Sequence, residues 1–205
     1  MHASPEKQSP DGSNIRAAQN IKGLAGAFDS HQTNHKSGYL TTIDTPHQAH
    51  IDWLLKHGVA VAAMVNPLPI LLARGERATD GRFEDVDTGP RWFVFEEAED
   101  VVFWQPRTGQ LATSMGRAFA LGEDAIYNPG TFAFDNHLNI FADPLEWLRA
   151  RRDGCIVLDW TRAFDRLRDC PRISVAEEVL LQYRRHMKPP HMPDVYVLAS
   201  RRVAA

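Results

Sequence analysis

Between Arg91 and Thr113 the chain reads RWFVFEEAEDVVFWQPRTGQLAT. Aromatic and β-branched residues fill 91–96 and 101–105, the composition a pleated, packed surface favours. Alternation sets Trp92, Val94 and Glu96 on one side of the first run and Phe93 and Phe95 on the other. Pro106-Arg107-Thr108-Gly109 suits a type I turn, and Gln110 to Thr113 supplies a returning strand. Strands joined by turns this short pair antiparallel, because parallel pairing needs a long crossover. With the apolar run Leu68 to Ala73 ahead of them, they predict an antiparallel meander with a half-buried sheet.

Ahead of the meander, Thr45 suits a helix N-cap and Pro46 the first helical position, where a missing N–H is harmless. Ile51, Leu54 and Leu55 share a face, with Trp53 beside it, and Gly58 is a C-terminal stop. A second short helix, about Ala60 to Val65, runs to Asn66-Pro67. After residue 137 the rhythm becomes strand–helix alternation. The expected strands are Leu138 to Phe141, Cys155 to Trp160, Arg172 to Val175 and Asp194 to Ala199. The expected helices are one opened by Asp143-Pro144, one capped by Thr161, and one from Ala176 to Met187. Such alternation predicts parallel pairs with crossover helices. The fold class expected is therefore α+β: an antiparallel meander followed by a small β-α-β-α-β mixed sheet.

Residues 1–44 are rich in Ser, Gly, Asn, Gln and His, and read as a disordered polar tail with at most a weak helix over Asn14 to Phe28. Residues 45–137 read as the helix pair plus meander and 138–205 as the small α/β part, with 45–205 one compact unit. The chain of 205 residues is long enough for such a core. Its longest apolar stretch, Val59 to Val65, is far short of the ~20 residues of a membrane-spanning helix. Met1 to Pro10 has no apolar core of a secretory signal, so a cytoplasmic protein without membrane partners is expected.

Charge is uneven. Residues 51–150 carry 15 acidic and 8 basic side chains, and residues 151–205 carry 7 acidic and 11 basic. The basic end, with Arg151, Arg152, Arg184, Arg185, Lys188, Arg201 and Arg202, is a candidate nucleic-acid-binding region. The same residues also read as solvated helix faces paired with nearby carboxylates. No Walker loop, G-x-G-x-x-G, C-x-x-C or G-x-S-x-G occurs. Cys155 opens an apolar strand and reads as a small core residue. Asp135-Asn136-His137 could share a metal or hold a water, or could simply serve a turn. Asp159, at the end of Cys155-Ile156-Val157-Leu158, stands where α/β sheets place ligands, and equally reads as a helix entry.

Several segments, in order, resemble the core of bacterial and phage primases that contain a Toprim domain. WLLKHGVAVAAMVNP is similar to the helix pair that opens that core, and WQPRTGQLATSMGRAF to its strand–turn–strand. IYNPGT with LNIF is similar to the stretch that follows, and GCIVLDW, PRISVA and MPDVYVLAS resemble the three Toprim strands. The resemblance spans about residues 50 to 200 and implies a truncated Toprim-like fold in DNA replication. The family ends its first strand with a Glu for acid–base chemistry and its third with D-x-D for divalent metal. Here those positions carry Asp159, followed by Trp160, and Ser200-Arg201-Arg202. Arginines cannot ligate Mg²⁺, which takes oxygen ligands, and phosphoryl transfer relies on metal to neutralise developing charge.

The resemblance therefore implies a degenerate, non-catalytic, primase-like accessory protein of a mobile element, without a cofactor, that binds DNA or RNA or a replication protein. The alternatives are a Mg²⁺-dependent enzyme on phosphate esters using Asp159 with Asp135 and His137, and a protein-interaction module. A tail of this composition contributes little to a core. Deleting residues 1–42 should leave a cooperative melt in place, checked by thermal unfolding of the shortened chain.

Overall fold

The computed structural model describes residues 43–189. The expected strand Asp194 to Ala199, the weak helix over Asn14 to Phe28, Arg201 and Arg202 lie outside them. The architecture is α+β. A short strand β1 (Ile43–Asp44) leads into helices α1 (Gln48–Lys56) and α2 (Val61–Val65). The meander follows as β2 (Leu71–Arg77), β3 (Phe83–Asp85), β4 (Arg91–Glu96), β5 (Val101–Gln105) and β6 (Gln110–Thr113). The rest comprises β7 (Ala120–Leu121), α3 (Asp124–Tyr127), β8 (Leu138–Ile140), α4 (Pro144–Arg149), β9 (Ile156–Val157), α5 (Ala163–Leu167), β10 (Ile173–Val175) and α6 (Leu180–His186).

The first sheet is antiparallel, in the order β1-β2-β4-β5-β6, with β3 also paired to β2. β4, β5 and β6 occupy the residues that the local pattern marks out, because each hairpin is set by its own turn. α1 begins two residues beyond Pro46, with His47 in the N-cap position and no side-chain cap, and ends before Gly58, whose φ of 81° favours glycine. β1 pairs Ile43 with Ala73, so ordered structure reaches back into the segment read as tail.

Both faces of the sheet are covered, where a half-buried sheet was expected. Leu72, Phe93, Phe95, Val102 and Trp104 face α1 and α2. Leu71, Trp92, Val94, Phe103 and Ala112 face the other way, under Phe83 of β3. The Phe83 ring stacks on Phe103 with centroids 3.8 Å apart. Gly75 permits this: a Cβ there would stand 2.2 Å from the Glu84 carbonyl oxygen and 2.4 Å from the Phe83 ring. The four consecutive buried residues Trp92 to Phe95 need two cores, and β3 completes the second.

β7 pairs antiparallel with β9, and β8 pairs parallel with β10. A parallel bridge between Ile140 and Cys155 joins the pairs, giving the order β7-β9-β8-β10. β7 and α3, from before residue 138, thus belong with the small α/β part. Leu121 and Ile156 point into the first core, and Ala120 and Val157 into a third core with Phe119, Leu138, Ile140 and Cys155. The expected helix over Ala176 to Met187 is a 3-10 turn, Glu177–Val179, followed by α6.

The carboxylate of Asp100 links the two sheets. It is 5% exposed and accepts N–H bonds from Val101 and Met115 on one oxygen and from Arg117 and Ala118 on the other. Asp100→Ala should destabilise the protein by about 3 kcal/mol, since it removes four hydrogen bonds to a charged acceptor, each worth about 1.5–3 kcal/mol, from N–H groups that are mostly part-buried. Asp100→Asn should not restore it, because the amide NH₂ would face two N–H donors. Urea denaturation of both variants measures the loss.

Candidate functional site

Two clefts gather charged side chains beside buried aromatic ones. The first opens where α1 crosses the Arg74–Arg91 end of the β2–β4 ladder and the β5–β6 turn, with a volume of about 450 Å³. Its floor is apolar: Leu72 and Phe93 are buried there, and Trp53 is half-buried beside them. Arg74, Arg91 and Arg107 line it, together with His50 and Gln105, and no carboxylate does among the described residues.

The sheet register creates this charge. Arg74 of β2 stands directly opposite Arg91 of β4. Like charges facing each other across an antiparallel ladder are destabilising, by up to about 1 kcal/mol. None of Arg74, Arg91 and Arg107 has an ion-pair partner among the described residues. The Arg91 guanidinium lies 3.5 Å from His50 Nε2. Burial, then Arg91, then His47 lower the His50 pKa, so the imidazole accepts there as the neutral form and the cleft's charge comes from the arginines. His50 Nδ1 is buried, and a contact with the His47 backbone opposes the fall in the imidazole pKa. Gln105 Oε1 accepts from the Arg107 and Thr108 N–H groups and so shapes the turn that carries Arg107.

The second cleft, about 580 Å³, lies between the β4 end, α3 and α4. Arg152 enters it from a strained turn in which Arg151 and Arg152 both have positive φ, 58° and 62°. Its guanidinium lies 5.5 Å from the Phe95 and Trp147 ring centres and donates to the Leu68 carbonyl at 2.9 Å. Nε and Nη2 are buried without partners. Burial lowers the Arg152 pKa to about 10, so it stays charged at neutral pH. Glu97 shares the cleft, accepting N–H bonds from Gly122 at 2.7 Å and Glu123 at 3.3 Å. Burial raises its pKa from 4.5 to about 7, against those hydrogen bonds, with Asp124 and Glu123 adding to the rise.

The residues singled out from the sequence are spread over the molecule. Asp159 accepts from Thr161 N at 3.0 Å and Thr161 Oγ1 at 2.5 Å, capping the 3-10 turn Trp160–Arg162, and lines a third cleft with Asp80 and Arg77. Asp135 is exposed and paired with Arg172 at 3.2 Å, and His137 beside it is exposed. Asp135 and His137 precede β8 while Asp159 follows β9, and β8 runs parallel to the β9 edge. The two sets therefore lie off opposite ends of the sheet. No group of three His, Cys, Asp or Glu side chains able to hold a metal occurs among the described residues. Arg184, Arg185 and Lys188 are exposed on and just after α6, and Arg151 is exposed at the end of α4, while Arg152 is directed into the second cleft. Cys155 is fully buried, and burial pushes its thiol pKa far up, consistent with a packing role.

Neither a protein-family model, nor a curated protein, nor a solved structure matches this chain. No helix among the described residues is long and apolar enough to cross a membrane.

Sequence reading passed over Arg74, Arg91 and Arg107, because they sit in the acidic stretch and meet only through pairing. It also passed over Glu97, one of several acids in a turn. Glu97 carries a pH signature. Below pH 4.5 the carboxyl is protonated in both folded and unfolded chains. Between 4.5 and about 7 the unfolded chain ionises first, so stability falls as pH rises. That window corresponds to roughly 3 kcal/mol at about 1.4 kcal/mol per pH unit. Glu97→Gln keeps an acceptor for the Gly122 N–H, and should remove this part of the fall in urea unfolding between pH 4.5 and 7.

Proposed function

We propose that this chain is a non-catalytic, primase-like accessory protein that binds nucleic acid, with the arginine cleft as the contact surface. The observation that carries the reading is the facing pair Arg74 and Arg91, joined by Arg107 in a cleft lined by no carboxylate among the described residues. A pair of unneutralised guanidiniums on one ladder is unfavourable alone and becomes favourable when an anion lies between them. Arginine forks suit phosphate oxygens, and binding displaces condensed counterions from the polymer. The half-buried Trp53 gives the same cleft an aromatic surface, which phosphate-and-base polymers use and simple anions do not need.

Two further features support the reading. Parallel pairing of β8 with β10 and with the β9 edge, through helical connections, suits a small, truncated Toprim-like sheet. The Asp159 carboxylate is occupied in capping and stands apart from Asp135 and His137, which suits an accessory role better than metal-assisted chemistry. The exposed Arg184, Arg185 and Lys188 add a secondary basic face along α6.

The expected behaviour is salt-sensitive binding. Arg74→Glu together with Arg91→Glu should weaken binding of a short DNA or RNA strand at least tenfold. The slope of log affinity against log salt should fall by about 1.5, near 0.7 to 0.9 per phosphate contact removed. Arg184→Glu with Arg185→Glu should have a smaller effect of the same kind. Fluorescence anisotropy between ~50 and ~200 mM salt reads both. Unchanged affinity and slope in the cleft double variant, with an unchanged melt, would overturn the assignment.

A further inference from the structure

Resting on the nucleic-acid reading of the same cleft, we infer that its preferred occupant is a nucleoside phosphomonoester, a terminal phosphate with its attached base, in preference to the phosphodiester of an interior nucleotide. The first reason is charge. An interior phosphodiester carries a single negative charge, whereas a phosphomonoester carries about −1.5 to −2 near neutral pH. Arg74, Arg91 and Arg107 line one cleft, with no carboxylate in its lining among the described residues. Three guanidiniums in one small cleft exceed what one phosphodiester neutralises and suit a near-dianion.

The second reason is space. About 450 Å³ is the size of a site for one small ligand, within the roughly 300–1,000 Å³ of such pockets. The floor is closed by Leu72 and Phe93, each 2% exposed. A nucleotide fits that volume, and a duplex would meet only the arginine rim.

The third reason is the placement of the other groups. The Trp53 ring is held on one side by the His57 ring, with centroids 4.0 Å apart, and by Phe93 and Trp104 at 6.2 Å each. A ring clamped in this way is a preorganised stacking surface, and it lines the cleft. His50 lines the same cleft, with Nε2 3.5 Å from the Arg91 guanidinium. Inorganic phosphate would satisfy the arginines and leave the Trp53 surface unused.

The test uses the full chain and one single-stranded oligonucleotide in three forms: 5′-hydroxyl, 5′-phosphate and 3′-phosphate. Adenosine 5′-monophosphate, adenosine and inorganic phosphate serve as competitors. A terminal phosphate should tighten binding at least tenfold over the 5′-hydroxyl form, and the monophosphate should compete where adenosine and inorganic phosphate at the same concentration do not. The gain should disappear in Arg91→Gln and, as a variant in an exposed turn less coupled to folding, in Arg107→Gln. Gain on the strand end assigns the site to polymer termini, and competition by the monophosphate alone assigns it to free nucleotides. Either supports the phosphomonoester chemistry. Equal binding of all three strands with no competition by the monophosphate overturns the inference and leaves nucleic-acid binding standing. Inorganic phosphate competing as well as the monophosphate also overturns it. Absence of binding by every strand form and by the monophosphate overturns both readings.

Discussion

A single buried carboxylate, Asp100, holds the backbone from Met115 to Ala118 in place. That segment is the only covalent route from the meander to the second sheet, and its N–H groups have no strand to pair with. Without Asp100 the buried Ala118 N–H would be unsatisfied, which proteins rarely tolerate, and the part-buried Met115 and Arg117 N–H groups would lose their acceptor. With Asp100 there, the chain emerges at Ala118 aligned to form β7. β7 then receives β9, and Leu121 and Ile156 close the first core while Ala120 and Val157 open the core beneath β8 and β9. Glu97 extends the same device, accepting from Gly122 and Glu123, and Glu123 in turn accepts from the Phe119 N–H. Three acids in or beside the β4–β5 turn region and β7 thus act as backbone acceptors.

Part of the acidic excess over residues 51–150 is therefore internal wiring, with Asp100, Glu97 and Glu123 serving backbone N–H groups. What the meander offers to the outside is, at the arginine cleft, the opposite sign. A sheet packed on both faces, with Phe83 against Phe103 and Trp53 against Phe93, has little freedom to move Arg74 away from Arg91. The rigidity of the aromatic core is therefore what keeps these like charges together, and the proposed anion contact relies on that preorganisation.

The second cleft follows another logic. Arg152 and Glu97 are both buried enough to shift in pKa, in opposite directions from their ordinary values. The arginine is covered by Phe95 and Trp147 and braced by the Leu68 carbonyl, and its strained turn follows from the need to bring the chain from α4 back into β9. Its role here is to pin α4 against the β4 end, and the proton-linked stability of Glu97 is a consequence of the same burial.

Some of this was legible from the chain alone. β4, β5 and β6, the helix pair and the stop at Gly58 are decided by contacts within about ten residues, so alternation, turn chemistry and caps suffice to find them. Asp159 with Thr161 could likewise be read as a helix entry, because the cap is local. β1, β3 and β7 are two or three residues long and exist only because a partner strand reaches them, so no periodicity announces them. The cleft lay beyond sequence reading for the same reason. Arg74, Arg91 and Arg107 are dispersed through a region of net negative charge, and only the β2–β4 register and the β5–β6 turn bring them together. Local residue chemistry determined which segments could be strands and helices. Long-range pairing and burial decided which charges face each other, which acids became backbone acceptors, and which cleft gathers the arginines.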